Sequence, residues 1–258
     1  TRRSSDLINL RGRVYQSRDW MVNVFANLAH NKNEILKIAE SLKAYNERVN
    51  EYFRENMYNS TSLEPFTQYV EGGSLTSIYA MRSLGIDPAT GEELLLTKKG
   101  DITTVWNTNE QVIVGNKEPK AQGTLGFNVS FKGFSLYATF LYEFGGQRYN
   151  STLAEKVENV DVYNYNVDKR VLTKRWQKPG DHTKFKALQK SALYSLKTNP
   201  TERFVQDYNV LSLNSLILGY DFKSEMVKKW GLGVLRFEVG ANDLFRLSSV
   251  KAERGLKS

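Results

Sequence analysis

Side chains able to do acid–base, nucleophilic or metal chemistry are few and dispersed in this 258-residue chain. His30 and His182 are the two histidines, and neither belongs to an HExxH helix or faces a nucleophile turn in the sequence. A catalytic site needs a constellation rather than a lone residue. Asp6, Asp19, Asp101, Asp181 and Asp243 are scattered, mostly among turn residues. Cysteine is absent, which excludes disulfides, thiolate metal sites and a cysteine nucleophile. Gly231-Leu232-Gly233 lacks the rest of a dinucleotide fingerprint and has no helix after it. Asn59-Ser60-Thr61 and Asn150-Ser151-Thr152 match a glycosylation acceptor, a pattern common by chance. No enzyme, metal site or cofactor is expected. The residues with binding chemistry are Tyr149, Tyr163, Tyr165 and Trp176, aromatic faces in a stretch that also carries Asn and Asp. That mixture suits a sugar or peptide ligand, while for any single one of them packing the loop against itself or lining the lumen is the stronger reading.

The elements that must carry these residues centre on Gly123–Gly146. Leu125, Phe127, Val129 and Phe131 stand at every second position, Lys132-Gly133 supplies two turn residues, and Phe134, Leu136, Ala138, Phe140, Tyr142 and Phe144 resume the period. A period of two is the strand period, and two such runs joined by a Gly-containing turn make a β-hairpin. Each arm is about ten residues, roughly what a tilted strand needs to cross a bilayer. One side is Phe- and Leu-rich and the other small and polar. That is the pattern of an outer-membrane barrel; a soluble sandwich alternates too, so both readings stay open on the hairpin alone.

Composition is compatible with either. Hydrophobic residues make up 40% and the mean hydropathy is −0.49, and no 18-residue apolar run exists, which excludes a helical membrane protein. A barrel escapes that objection because only alternate residues face lipid. Fourteen Tyr and 13 Phe would furnish interfacial girdles. The net charge of +8 is spread along the chain rather than gathered in a block, so nucleic acid has only the total charge in its favour.

In chain order, residues 1–19 read as a polar, basic lead-in, and Trp20–Leu28 as a strand. From Asn31 to Tyr52 the apolar residues Ile35, Leu36, Ile38, Ala39, Leu42 and Tyr45 recur at helical spacing, with Asn33 as the N-cap of a short amphipathic helix. Ser74–Leu84 reads as a strand, Ile86–Gly91 and Lys98–Asp101 as turns, and Glu92–Thr97 and Val112–Gly115 as short strands. Gly145–Asp207 lacks alternation and is too long for an inert connection. Tyr208–Phe222 and Val234–Leu244 are strands again, joined by a modest basic turn. With the Lys132-Gly133 turn on the periplasmic side, 145–207 becomes an outer loop. The chain opens on Thr1 without Met and stops just after a strand-like run, so a fragment of a longer protein is expected.

Several phrases, taken in order, resemble the C-terminal barrel of the SusC/RagA family of TonB-linked outer-membrane transporters. They are Asn31-Lys32-Asn33-Glu34-Ile35, Gly85–Gly91, Gly100-Asp101, Gly115-Asn116 with Pro119-Lys120, Phe131–Leu136, Arg175-Trp176 with Pro179-Gly180-Asp181, Leu218-Gly219-Tyr220, and Asn242-Asp243-Leu244-Phe245, where the family usually lacks the inserted Asp. The resemblance implies an all-β fold, an antiparallel transmembrane β-barrel segment with long outer loops and a short helix. On that reading residues 1–258 are the C-terminal part of a TonB-dependent receptor barrel of about 22 strands, without plug domain or final strand. It implies import of oligosaccharides or peptides across the cell outer membrane, with a SusD-like surface lipoprotein and the TonB complex as partners. Tyr149, Tyr163, Tyr165 and Trp176 would then face substrate from the outer loop. The rival expectation is a soluble all-β carbohydrate-binding module.

Overall fold

The computed structural model describes residues 1–55, 64–160, 162, 164, 166–188 and 198–250. Six long strands form one antiparallel sheet: β1 (Arg2–Gln16), β2 (Trp20–Glu34), β8 (Ala121–Phe131), β9 (Phe134–Tyr149), β10 (Val205–Asp221) and β11 (Arg236–Ser248), hydrogen-bonded in that order. Between β2 and β8 lie α1 (Glu40–Glu55) and five short strands: β3 (Ser77–Ala80), β4 (Arg82–Ile86), β5 (Glu93–Leu96), β6 (Ile102–Thr103) and β7 (Val112–Asn116). Strands β3 and β7 pair with each other, and β4, β5 and β6 form a three-stranded sheet. Among the described residues no helix is long and apolar enough to cross a membrane.

Register decides what each side of the large sheet is made of. Trp20, Phe131, Phe134, Tyr220 and Phe237 lie in one cross-strand row; Val22, Val129, Leu136, Leu218 and Val239 in the next; then Val24, Phe127, Ala138, Leu216 and Ala241. A fourth row runs Ala26, Leu125, Phe140, Leu213 and Phe245. Because side chains alternate across a strand, the positions between fall on the opposite face. There the rows read Met21, Ser130, Ser135, Gly219 and Glu238, then Asn23, Asn128, Tyr137, Ile217 and Gly240. One face is a continuous apolar band and the other mostly small and polar.

Among the described residues nothing covers the apolar band. Phe134, Leu218, Phe237 and Val239 are each more than half exposed, and Phe127, Phe131 and Phe140 are only half-buried. These Phe side chains therefore share a face of a single layer, not a dry interior between two layers. The dry cores lie elsewhere, in the connections. Val49 and Phe53 of α1 pack with Met81, Leu95 and Trp106, while Ala154, Val157, Val171, Phe185 and Phe204 form a second cluster. A soluble monomer rarely leaves so wide an apolar surface in water, and strands of 11–17 residues are long for a sandwich.

The hairpin at the centre is as expected. Lys132 (φ 45°) and Gly133 (φ 93°) both adopt positive φ, the two-residue turn whose twist matches its flanking strands. Around that turn the rings gather: Trp20 stacks on Phe131 at 4.2 Å, Phe134 leans on Tyr220 at 4.5 Å, and Tyr220 meets Phe222 at 4.9 Å. Such a belt suits the rim of an apolar band.

Three expectations are corrected. The polar lead-in is strand β1, paired with β2 from Arg2–Glu34 to Gln16–Met21; backbone pairing to a partner overrides a mostly polar composition in which Ile8 and Leu10, opposite Leu28 and Ala26, continue the apolar band. The helix starts at Glu40, not after Asn33, because β2 runs to Glu34 and Asn33 Oδ1 accepts hydrogen bonds from the Leu75 N–H and the Ser74 hydroxyl, both at 2.7 Å. Ile35 is buried in the loop body, its N–H donating to Gly73 O and its carbonyl accepting from Gly72 N. The single strand expected over 74–84 is two, β3 and β4, belonging to different sheets.

Candidate functional site

Of the four aromatics singled out in the sequence, Tyr163 and Tyr165 lie outside the described residues. Tyr149 ends β9 and turns into the second loop core, its ring edge-on to Phe204 at 5.8 Å. Trp176 is half-buried; its Nε1–H donates to Pro88 O at 2.9 Å, and its ring fills the space above Gly91, where a Cβ would come within 2.5 Å of it. The structure brings Tyr149 and Trp176 into the same loop body, each engaged in packing. His30 ends up near the end of β2 with Nδ1 2.6 Å from Lys120 O, the N–H donor of that contact. Among the described residues no group of three or more His, Cys, Asp or Glu could hold a metal ion.

The loop body is tied by an ionic knot that has no signature in the sequence. Arg203 reaches Glu93 Oε2 at 2.9 Å and Glu158 Oε1 at 2.7 Å, with the three side chains nearly or fully buried. Its Nη1–H also donates to Lys184 O at 2.6 Å, and the Ser83 hydroxyl donates to Glu93 Oε1 at 2.6 Å. Arg175 closes the other side, donating to the carbonyls of Val157, Glu158 and Lys186. Burial pushes the Glu93 carboxyl up, but the Arg203 guanidinium and the hydrogen bonds to it outweigh that and hold the carboxyl below its ordinary value. One arginine thus joins β5 to both ends of the long 150–204 connection.

The polar face of the sheet is the other candidate surface. Near the hairpin turn it lines an open groove of about 710 Å³ with Asn128, Ser130, Ser135, Tyr137, Arg236 and Glu238. Its glycines make room for rings: a Cβ on Gly126 would strike Phe25, which lies over Tyr137 at 5.9 Å. Near the loop end, the Arg148 guanidinium stacks on the Tyr208 ring with its carbon 3.7 Å from the centroid. Arg246 donates through Nη2–H to the Tyr208 hydroxyl, its guanidinium carbon 5.9 Å from the same centroid.

No protein-family model matches the sequence, and no curated protein matches it. Solved structures do match in three dimensions. The RagAB peptide transporter superimposes with a TM-score of 0.72 at 21% identity, over 96% of this chain and 26% of that one. The RagAB peptide importer in its open-open state gives 0.71 at 22% identity, over 95% of this chain and 25% of that one; its closed-closed state gives 0.72 at 22%, over 95% and 26%. The fold is that of the corresponding stretch of these RagAB chains. This chain spans about a quarter of the solved chains it matches, and those are transporters rather than enzymes.

Within that shared fold, the phrases that carried the resemblance are joints. The Ile86–Gly91 turn docks on the Trp176 segment: Gly180 N donates to Pro88 O and Ala187 N to Gly91 O, both at 2.8 Å. The inserted Asp243 is absorbed as a bulge in β11 with φ 52°, opposite the register shift between Leu213 and Ser215. Sequence reasoning missed Arg148, Tyr208, Arg246 and the Glu93–Arg203–Glu158 knot. Their sole trace is the type of each residue, because the partners meet only through sheet register and loop packing.

Proposed function

We propose that this chain is one wall of a larger outer-membrane β-barrel in a longer polypeptide, a TonB-dependent importer of peptides or oligosaccharides acting with a SusD-like lipoprotein. The observation that carries this reading is the uncovered apolar band across the large sheet, opposite a polar face. In a bilayer that band meets hydrocarbon and the polar face lines the aqueous lumen. The two edges support it further. β1 and β11 are long edge strands paired on one side only, and unpaired backbone groups cost several kcal/mol each in lipid, so neighbouring strands are required there. The Lys132-Gly133 turn then faces the periplasm, and the loop body built on α1 and the described residues between β9 and β10 lies outside, where such barrels carry their long loops. Exposed surface of Trp176 is assigned to substrate contact in that loop body, where Tyr149 packs against Phe204; the same role is proposed for Tyr163 and Tyr165 on residue type alone. A soluble carbohydrate-binding module would have to keep the same band in water, which the hydrophobic effect opposes.

The structural neighbours are named as peptide importers, which makes peptides the first substrate class to test. Cells lacking the full-length gene should lose uptake of labelled oligopeptides or oligosaccharides and regain it on complementation. Unchanged uptake of both classes on deletion would overturn the reading.

A further inference from the structure

Arg148, Tyr208 and Arg246 come from three adjacent strands, β9, β10 and β11, and meet on the polar face. Gly146, directly opposite Tyr208 in the register, has no side chain; Arg148, two positions on along the same face, lies over the tyrosine ring. The ring itself is 7% exposed, while both arginines are exposed. Stacking occupies the guanidinium face, and its in-plane N–H groups have no partner among the described residues; such a planar fork takes a carboxylate with two parallel hydrogen bonds. Arg246, held by the tyrosine hydroxyl, presents a second guanidinium beside the first.

Neither arginine has a carboxylate partner among the described residues. That sets them apart from Arg203, which holds Glu93 and Glu158, and from Arg236, which holds Glu238 at 2.6 Å. Arg11 and Arg13 of β1 fall opposite Phe25 and Asn23 and add positive charge to the same face, while Glu143 is the single acid of β9. A wall whose free charge is mainly cationic draws anions toward it.

We propose that Arg148 and Arg246, braced on Tyr208, form a carboxylate-binding site on the channel wall for substrates carrying a free carboxylate. This rests on the import reading above. Two sources share the chemistry: the C-terminus or acidic side chains of a peptide, and the uronates of an oligosaccharide.

The test is calorimetric titration of the full-length protein in detergent with four ligands. They are a short acidic peptide, its neutral amidated counterpart, a uronate-bearing oligosaccharide and its neutral analogue. Arg148→Gln and Arg246→Gln should each weaken the carboxylate ligands about tenfold, the loss of one charge-assisted hydrogen bond, and leave the neutral ligands unchanged. Whichever acidic ligand responds identifies the source. Arg148→Lys keeps the charge and tests the planar fork, and should recover only part of the affinity. Lys43→Gln, a cation on α1 already paired with Glu40 and off this wall, should change nothing. Equal weakening of acidic and neutral ligands, or no weakening of either, overturns the site. Neutral ligands bound by the wild type as tightly as acidic ones overturn the carboxylate site alone and leave import standing; no binding of any of the four overturns both.

Discussion

Replacing Arg203 by methionine removes the cation from between two buried carboxylates while keeping most of the side-chain volume. In the structure the guanidinium is 10% exposed, and Glu93 and Glu158 are 8% and 0% exposed, so water cannot take its place. Breaking a buried pair by deleting one partner costs about 3–5 kcal/mol, because the remaining charge is left uncompensated. Here two charges are left. They also lie in the loop body rather than the sheet, so the cost falls on local opening. An opening free energy lowered by about 3 kcal/mol raises the open population roughly a hundredfold. Hydrogen exchange and limited proteolysis of the full-length protein read this directly, with loss of protection expected at β4, β5 and residues 198–204 and none in β8 or β9. The effect has a pH signature. Glu93 is held below its ordinary value, so its contribution is complete above the usual carboxylate pKa of about 4.3 and is lost as pH falls through the lower folded value. The difference between wild type and Arg203→Met should therefore narrow in acid. An Arg203→Met variant as protected as wild type at neutral pH would refute the reasoning, and so would a difference that grows in acid.

Other perturbations probe separate parts of the account. Gly133→Val forces a β-branched residue to φ 93° and drives its Cβ to within 2.8 Å of Asp221 O; it should cost about 1–2 kcal/mol or more, read as a lowered urea midpoint, whereas Lys132→Gly should be nearly neutral. Gly91→Ala places a methyl in the Trp176 ring at φ +77°; it should undock the Ile86–Gly91 turn and speed amide exchange at Ala187, which bonds Gly91 O. Phe127→Arg, on the apolar band, should destabilise the assembled barrel by about 2–4 kcal/mol in lipid vesicles. Asn128→Arg, one residue along on the polar face, should cost far less in the same unfolding titration.

Legibility in the sequence followed how local the determining physics was. The β8–β9 hairpin could be read because alternation, strand length and turn chemistry all sit within two dozen residues and agree. Strand β1 could not, because Arg3, Ser4, Ser5, Asp6 and Asn9 leave little contrast between its faces; its identity comes from pairing with β2. The helix boundary was misjudged because Ile35 continues the helical spacing backward, although it is buried by the Gly72-Gly73 turn rather than by a helix face. Asn33 has the right type for an N-cap, yet it spends its side chain on residues 41 and 42 positions away. Trp176 was visible as an aromatic with binding chemistry, while its docking on Pro88, 88 residues off, was not. The Arg148–Tyr208–Arg246 group needs three strands in register, including the extra residue at the Gly145 bulge, before its members meet.

The central claim is that the Phe- and Leu-bearing face of the large sheet contacts lipid while the opposite face contacts water. Because the chain has no cysteine, single thiols introduced from Leu125 to Phe131 of β8 give unique spin-label sites within it. With the full-length protein in liposomes, collision rates with oxygen should peak at 125, 127, 129 and 131, and rates with a water-soluble nickel reagent at 126, 128 and 130. Labels with no alternation, or alternation in the opposite phase, would contradict the account.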